Sequence, residues 1–256
     1  MTNQEVLWIA MEQSARDLAC NAEDFLRNDN VIVESKIGRE ARKYYQEPIA
    51  VNFVSYGNNI VASVKEPYRE LVSEYIQKFN MYHCFETPNM HWLDSRLSAW
   101  GQKVCFMAAY YLPDIDKLAP LSCQYRLKTL GPAEFAPLYH QPEWKNALCE
   151  DRKTLDVLGI GAYDGDRLVG LAGCSADCDT MWQIGIDVLP EYRREGVASA
   201  LTSRLAIEVL KRGKVPFYCS AWSNIRSVRN AIKSGFVPAW VELTVKPAEL
   251  VTKMNR

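Results

Sequence analysis

The sequence predicts an α/β protein (α+β) with a mixed central sheet, and three patterns support this fold class. Positions 182–188 alternate between apolar and polar residues, as a strand does. Positions 197–209 carry an apolar residue at every fourth position, as an amphipathic helix does. Two apolar segments, 155–163 and 167–174, flank Asp164-Gly165-Asp166, which is typical of a hairpin turn. Strands and helices therefore alternate along the chain, as they do in layered α/β folds.

Length and composition indicate a globular protein with a sizeable core. The 256 residues suffice for one large or two small domains, and 48% of them are hydrophobic. The formal net charge of -1 lacks the basic excess of a general nucleic-acid binder. The longest apolar run, Val104–Leu112, is far shorter than the roughly 18 residues of a membrane helix. We therefore expect neither nucleic acid nor a membrane as a partner.

The cysteines indicate the compartment. Eight of them are scattered without a C-x-x-C pair, which favours free thiols in a reducing environment. His83, Cys84 and His91 lie close together, but their spacing fits no zinc pattern. The first residues carry Glu5 and Glu12 and only a short apolar run, unlike a signal peptide. We expect a cytoplasmic protein that holds no metal.

The turn between the strand at 182–188 and the following helix is the most informative segment. It reads Leu189-Pro190-Glu191-Tyr192-Arg193-Arg194-Glu195-Gly196-Val197-Ala198. A turn at a helix start presents several backbone N–H groups, and the helix dipole favours an anion there. Gly196 allows the anion to approach the backbone closely. The sequence therefore predicts a phosphate cradle.

Two motifs resemble those of the GNAT superfamily of acetyl-CoA-dependent N-acyltransferases. Arg193-x-x-Gly196-x-Ala198 is similar to the pyrophosphate-binding signature of that superfamily. Downstream, Asn224 begins a predicted short helix that Gly235-Phe236 closes, with the small residue Ser227 three positions after the asparagine, as in the second motif of the superfamily. The resemblance covers roughly half of the chain. It implies a GNAT fold from about residue 123 onward, with the order of elements that the superfamily shows.

The resemblance implies acetyl-CoA as a co-substrate and a set of residues that hold it. These residues are Ile186, Asp187, Val188, Arg193, Arg194, Glu195, Gly196, Val197, Ala198, Ser199, Asn224 and Ser227. By the same resemblance, the side chain of Asn224 binds the pantetheine arm, and a backbone N–H between Ile186 and Val188 stabilises the oxyanion. One position departs from the superfamily pattern. Ala231 stands where many members carry the tyrosine that protonates the departing thiolate.

The sequence leaves the catalytic base and acid open. Gln183 and Ser220 are the candidates: Ser220 lies at the end of the next strand, where a cleft could open, and Gln183 could orient a water but cannot accept the proton of an amine. Trp144, Trp182 and Trp222 are candidates for lining the acceptor site, although core packing explains each of them as well. We expect the acceptor to be the primary amine of a small molecule.

The predicted organisation is an amino-terminal α/β domain at 1–122 and a GNAT domain at 123–256. Glu66-Pro67-Tyr68-Arg69 echoes Pro190-Glu191-Tyr192-Arg193, which raises the alternative of a degenerate GNAT-like first half. No glycine follows Arg69 at cradle spacing, so this half is expected to shape the substrate site or form a homodimer contact. The two-part layout is also similar to that of bacterial GNAT proteins of the zwittermicin-resistance type.

Two other functions fit parts of the sequence. An acyl-CoA-binding sensor without catalysis would explain the alanine at 231. A tandem aminoacyl transferase of the peptidoglycan-building type would explain two similar halves. The intact cradle and the neutral charge argue against the second of these alternatives.

Overall fold

The computed structural model describes residues 1–255, which form two compact units of the mixed α/β class. One unit contains Met1–Ile9 and Tyr111–Pro238, and the other contains Ala10–Tyr110 and the chain from Ala239 onward. The predicted domain boundary between 122 and 123 stays a prediction.

The described residues contain strands and helices in a mixed order. The strands are β1 (Val31–Glu34), β2 (Val51–Ser55), β3 (Val61–Val64), β4 (Gln102–Pro113), β5 (Arg126–Leu130), β6 (Asp156–Asp164), β7 (Arg167–Ser175), β8 (Met181–Val188), β9 (Val215–Ser220) and β10 (Phe236–Pro247). The α-helices are α1 (Asn3–Leu18), α2 (Arg69–Lys78), α3 (Thr87–Leu97), α4 (Pro132–Phe135), α5 (Val197–Lys211), α6 (Ile225–Lys233) and α7 (Ala248–Met254).

The unit that contains 111–238 is built on strands in the order β9-β8-β7-β6-β5. Strands β5 to β8 are antiparallel, and β8 pairs with β9 in parallel. The apolar stripe of α5 lies against this sheet, and its members are at most 1% exposed: Val197, Leu201, Leu205, Ala206 and Val209. The predicted amphipathic helix is thus confirmed, and its start is fixed at the carboxyl end of β8.

The other unit has strands in the order β1-β3-β2-β10-β4. Helices α2 and α3 pack on these strands in a core cluster in which Tyr75 stacks on Phe53 and Trp92. The echo of the cradle sequence forms a 3₁₀ turn, Glu66–Tyr68, before α2, as Pro190–Tyr192 does before α5. However, no described residue from 65 to 72 has a positive φ, so no comparable cradle forms there.

Several predicted elements have different bounds in the structure. Apolar residues along Glu5–Leu26 predict one helix, but α1 ends at Leu18, because Ala19 takes a φ of 59° and the Cys20 N–H donates back to the Ala15 carbonyl. This closure of a helix is normally built on glycine. The apolar run Val104–Leu112 predicts a buried strand, and it lies in β4, whose residues before Tyr111 are half-buried or exposed. Strand β1 and helix α7 have no counterpart in the sequence prediction.

Candidate active site

The turn from β8 to α5 forms the predicted cradle. Arg194 and Gly196 both have left-handed backbone conformations, with φ of 68° and 82°. The backbone N–H groups of residues 194–199 have no hydrogen-bond acceptor within residues 1–255. A turn with left-handed residues followed by a helix start makes a concavity of N–H groups, which suits an anion such as a phosphate.

The side chains around the cradle add charge and hold its shape. The Arg193 Nε donates to the Val188 carbonyl oxygen at 2.9 Å, whereas the side chain of Arg194 is exposed. The Glu195 carboxylate accepts hydrogen bonds from Gln124 and Tyr125, and the bond to Glu195 raises the pKa of Tyr125. Both acidic side chains of the turn are therefore already bound within the protein, since Glu191 accepts from Arg167 at 2.7 Å, and the arginines of the turn are left to face an anion.

A gap opens between β8 and β9 next to the cradle. Their parallel register runs from Met181↔Val215 to Ile184↔Tyr218 and stops there, although β8 continues to Val188. The backbone N–H and C=O groups of successive residues point to opposite sides of a strand. The Val215 N–H donates to the carbonyl of Thr180, which directly precedes β8, so the backbone groups of the even-numbered residues of β8 point toward β9. The N–H groups of Ile186 and Val188 therefore point into the gap, without an acceptor within residues 1–255.

A cleft of about 450 Å³ lies at this gap. Its lining includes five residues predicted from the sequence, which the fold brings together: Gln183, Ile186, Ser220, Asn224 and Ser227. It also includes residues that sequence reasoning missed, among them Asp156, Ser175, Tyr218 and Cys219. The Gln183 Nε2 donates to the Cys219 Sγ at 3.0 Å, and its Oε1 has no partner within residues 1–255. That oxygen is free to accept a hydrogen bond from a ligand.

The segment 145–149 forms one wall of the cleft by lying directly on the sheet. A Cβ on Gly185 would come within 1.9 Å of the Asn146 carbonyl oxygen, and a Cβ on Gly173 within 2.1 Å of the Ala147 carbonyl oxygen. The Asp187 carboxylate accepts from the N–H groups of Asn146 and Ala147 and from the Asn146 side chain. Asp187 is thus committed to anchoring this wall and does not line the cleft.

We expect Gly185→Ala to displace this wall. The new methyl group would meet backbone, which cannot move aside as a flexible side chain could, and such overpacking costs about 1–3 kcal/mol. The thermal midpoint should fall by about 5 °C, and the KM for the acceptor should rise. Gly131→Ala is the control, because its Cβ meets only Glu134 Oε2 at 3.6 Å. An equal loss of stability in both variants would contradict the close approach of the wall.

Helix α6 closes the other side of the cleft. The Asn224 Oδ1 accepts from the Ser227 N–H at 3.2 Å and so caps the helix, as its sequence position predicts. The Tyr218 hydroxyl lies 2.7 Å from the Ser227 Oγ. Burial raises the pKa of Tyr218, although hydrogen bonds to Ser227 and Asn230 oppose that effect. The phenol is therefore protonated at neutral pH and lies at the last paired position before the gap.

Other predicted residues lie elsewhere. Ser220 is 7% exposed and its hydroxyl donates to the Tyr111 hydroxyl at 3.5 Å, so it is less available than Gln183. None of the three candidate tryptophans lines the cleft; Trp144 is packed in a small core cluster and Trp222 is 61% exposed. Ala231 is fully buried. Trp144 thus has the packing role that the sequence left as an alternative.

Within residues 1–255, no group of three His, Cys, Asp or Glu side chains is arranged to hold a metal ion. No described helix is both long enough and apolar enough to cross a bilayer.

Comparison with known proteins gives a family for the segment that carries the cleft. Residues 116–239 match the family model of GNAT acetyltransferases, whereas no curated protein matches the sequence. The chain is similar to a solved GCN5-related N-acetyltransferase-like protein from Streptococcus suis 89/1591, with 17% identity, coverage of 80% of this chain and 87% of that chain, and a TM-score of 0.48.

Two more solved structures are similar at the same low level. One is an acetyltransferase of the GNAT family from Colwellia psychrerythraea, with 15% identity, coverage of 78% and 82%, and a TM-score of 0.46. The other is an aminoglycoside N-acetyltransferase in complex with CoA, with 18% identity, coverage of 48% and 93%, and a TM-score of 0.36. Because these TM-scores lie below 0.5, the likenesses add nothing to the match of residues 116–239.

Proposed function

We propose that this chain, an acyltransferase whose residues 116–239 place it in the GNAT superfamily, transfers acetyl from acetyl-CoA to the primary amine of a small molecule. The gap between β8 and β9 carries this proposal, because it joins the anion cradle to the cleft. From Ile184 to Val188 the strand spans about 13 Å at 3.3 Å per residue. An extended thioester arm can therefore run from a pyrophosphate in the cradle to a thioester in the cleft.

The proposed cofactor site uses backbone more than side chains. The N–H groups of residues 194–199 receive the pyrophosphate, and those of Ile186 and Val188 face the arm and the thioester. An oxyanion that forms in the cleft would accept from the Ile186 N–H, which is fixed in place by the pairing of β8 with β7. Asn224 and Ser227 present their side chains from the start of α6.

Acetyl transfer in this cleft requires a neutral amine. An alkylammonium with a pKa near 10.4 costs about 4.6 kcal/mol to deprotonate at pH 7. The free amine attacks the thioester carbon, a C–N bond forms, the C–S bond breaks, and the nitrogen loses its extra proton to water. We assign Gln183 a positioning role, because its free Oε1 can accept a hydrogen bond from the amine but cannot accept its proton.

The departing thiolate needs a proton donor or must leave unaided. Ala231 supplies no hydroxyl, but the Tyr218 hydroxyl reaches Ser227 from the neighbouring strand. We assign the pair Tyr218 and Ser227 as the donor to the sulfur, since both side chains line the cleft and the phenol is protonated at neutral pH. The proton then passes from the hydroxyl to the sulfur as the C–S bond breaks.

An acyl-CoA sensor is the alternative, and the alanine at 231 is the observation that favours it. The roles of the amino-terminal half in substrate shaping or homodimer contact, and a cytoplasmic location, stay predictions.

The test is a thiol-release assay with the purified chain, acetyl-CoA and a panel of primary amines. We expect free CoA in equal amount to an acetylated amine identified by mass spectrometry. Micromolar binding of acetyl-CoA without product from any amine would favour the sensor. Absence of binding would contradict both functions.

A further inference from the structure

One carboxylate in the cleft is buried and forms no ion pair within residues 1–255. Asp156 is 2% exposed and lines the cleft. Its Oδ2 accepts from the Cys149 N–H at 2.9 Å and from the Tyr139 hydroxyl at 3.1 Å. Its Oδ1 has no partner within residues 1–255. A buried carboxylate with an open oxygen is stabilised most by a cation that can enter the cleft.

The other charged groups near Asp156 form no ion pair with it. The Arg152 Nη1 donates to the buried Asp177 at 2.7 Å, and the Ser175 hydroxyl donates to the same carboxylate. Lys145 lines the cleft but is exposed. Burial raises the pKa of Asp156, as does Asp177, while Cys149, Tyr139 and Arg152 lower it. Asp156 is therefore the negative group that a cationic ligand would meet.

The sheet register gives the distance from Asp156 to the reacting centre. Asp156 pairs with Ser175, and Ser175 pairs with Gln183. Neighbouring strands lie about 4.8 Å apart, so two steps separate Asp156 from Gln183 by about 10 Å. Gln183 lies on the strand that borders the gap, where the thioester would lie.

We propose that the acceptor carries a second cationic group, which Asp156 binds while the amine to be acetylated lies beside Gln183. This inference rests on the proposed function, since it takes the cleft to be the acceptor site. The substrate class is a diamine or polyamine-like molecule with positive centres on the order of 10 Å apart. An amine with a neutral tail would leave the Asp156 carboxylate uncompensated.

Diamines and amino alcohols of equal length test this inference. The probes are 1,8-diaminooctane and 8-amino-1-octanol, with shorter members of each series. We expect the wild type to prefer the diamine about tenfold in kcat/KM, with the preference greatest among the longer members. Asp156→Asn keeps an acceptor for Cys149 and Tyr139 but removes the charge, and it should lose this preference, so that its kcat/KM for the diamine falls to that for the amino alcohol.

Tyr139→Phe is the matched control. It removes a hydrogen bond to the same carboxylate but leaves the charge, so it should retain the preference for the diamine. Calorimetric titration of wild type and Asp156→Asn with 1,8-diaminooctane requires no turnover, so it tests the contact between Asp156 and the second amine independently of acetyl transfer. Equal binding to the two proteins, or an unchanged preference in Asp156→Asn, would overturn this inference. Asp156-dependent binding without turnover of any amine would uphold the contact and overturn the proposed function instead.

Discussion

Gly196→Val should weaken the binding of acetyl-CoA by about 100-fold. A valine at a φ of 82° is strained, so the turn must change its conformation and the N–H groups of residues 194–199 lose their common direction. Hydrogen bonds to charged groups contribute about 1.5–3 kcal/mol each, and the loss of two at the lower end of that range, about 3 kcal/mol, corresponds to the expected change in Kd. Calorimetric titration with acetyl-CoA measures it directly.

Substitution of a second glycine distinguishes the loss of the cradle from a general effect of backbone strain. Gly213 has a φ of 70° just after α5, at the opposite end of that helix from Gly196, and no atom lies within 4 Å of a Cβ placed there. Gly213→Val therefore carries the same type of strain at a site away from the cradle. It should lower the thermal midpoint but leave the Kd for acetyl-CoA within threefold. A Gly196→Val variant that binds as tightly as Gly213→Val would contradict the cradle.

The cradle could be predicted from the sequence because its causes are local. The alternation at 182–188, the glycine at 196 and the stripe of α5 lie within one short stretch of chain. The same holds for Asn224, which caps the helix that it begins. Because these causes lie in neighbouring residues, the strand, the turn and the helix could be assigned without knowledge of the fold.

The acceptor side of the cleft could not be predicted, because its causes are contacts between distant segments. Asp156 is a polar residue within the predicted apolar strand 155–163, and its role depends on its register with Ser175 and Gln183. In the sequence, Gly185 is an ordinary strand residue, and only the fold places the Asn146 backbone directly over it. The end of α1 before Ala19 has a local cause but could not be predicted either, because an alanine gives no signal for the left-handed conformation that glycine usually supplies.

Tyr218→Phe should lower kcat by about 10- to 100-fold and leave the KM for acetyl-CoA nearly unchanged. The substitution keeps the ring that packs near Phe236 and Tyr111 but removes the hydroxyl that lies against Ser227. Loss of a general acid costs at least about 100-fold in many enzymes, and less here because a thiol of pKa about 8.5 leaves fairly well unaided. Steady-state rates over a range of pH measure the effect.

The pH dependence distinguishes a proton donor from a packing residue. The pKa of Tyr218 is raised above its ordinary value of 10.0, so the wild type keeps its donor across the neutral range and loses it only in strong base. Above about pH 9 the CoA thiolate is itself stable, so the deficit of Tyr218→Phe should shrink there. Tyr111→Phe, which removes the neighbouring hydroxyl that contacts Ser220, should retain kcat at every pH. A deficit that is constant with pH, or one that Tyr111→Phe shares, would assign Tyr218 to packing and leave the thiolate to depart without a donor.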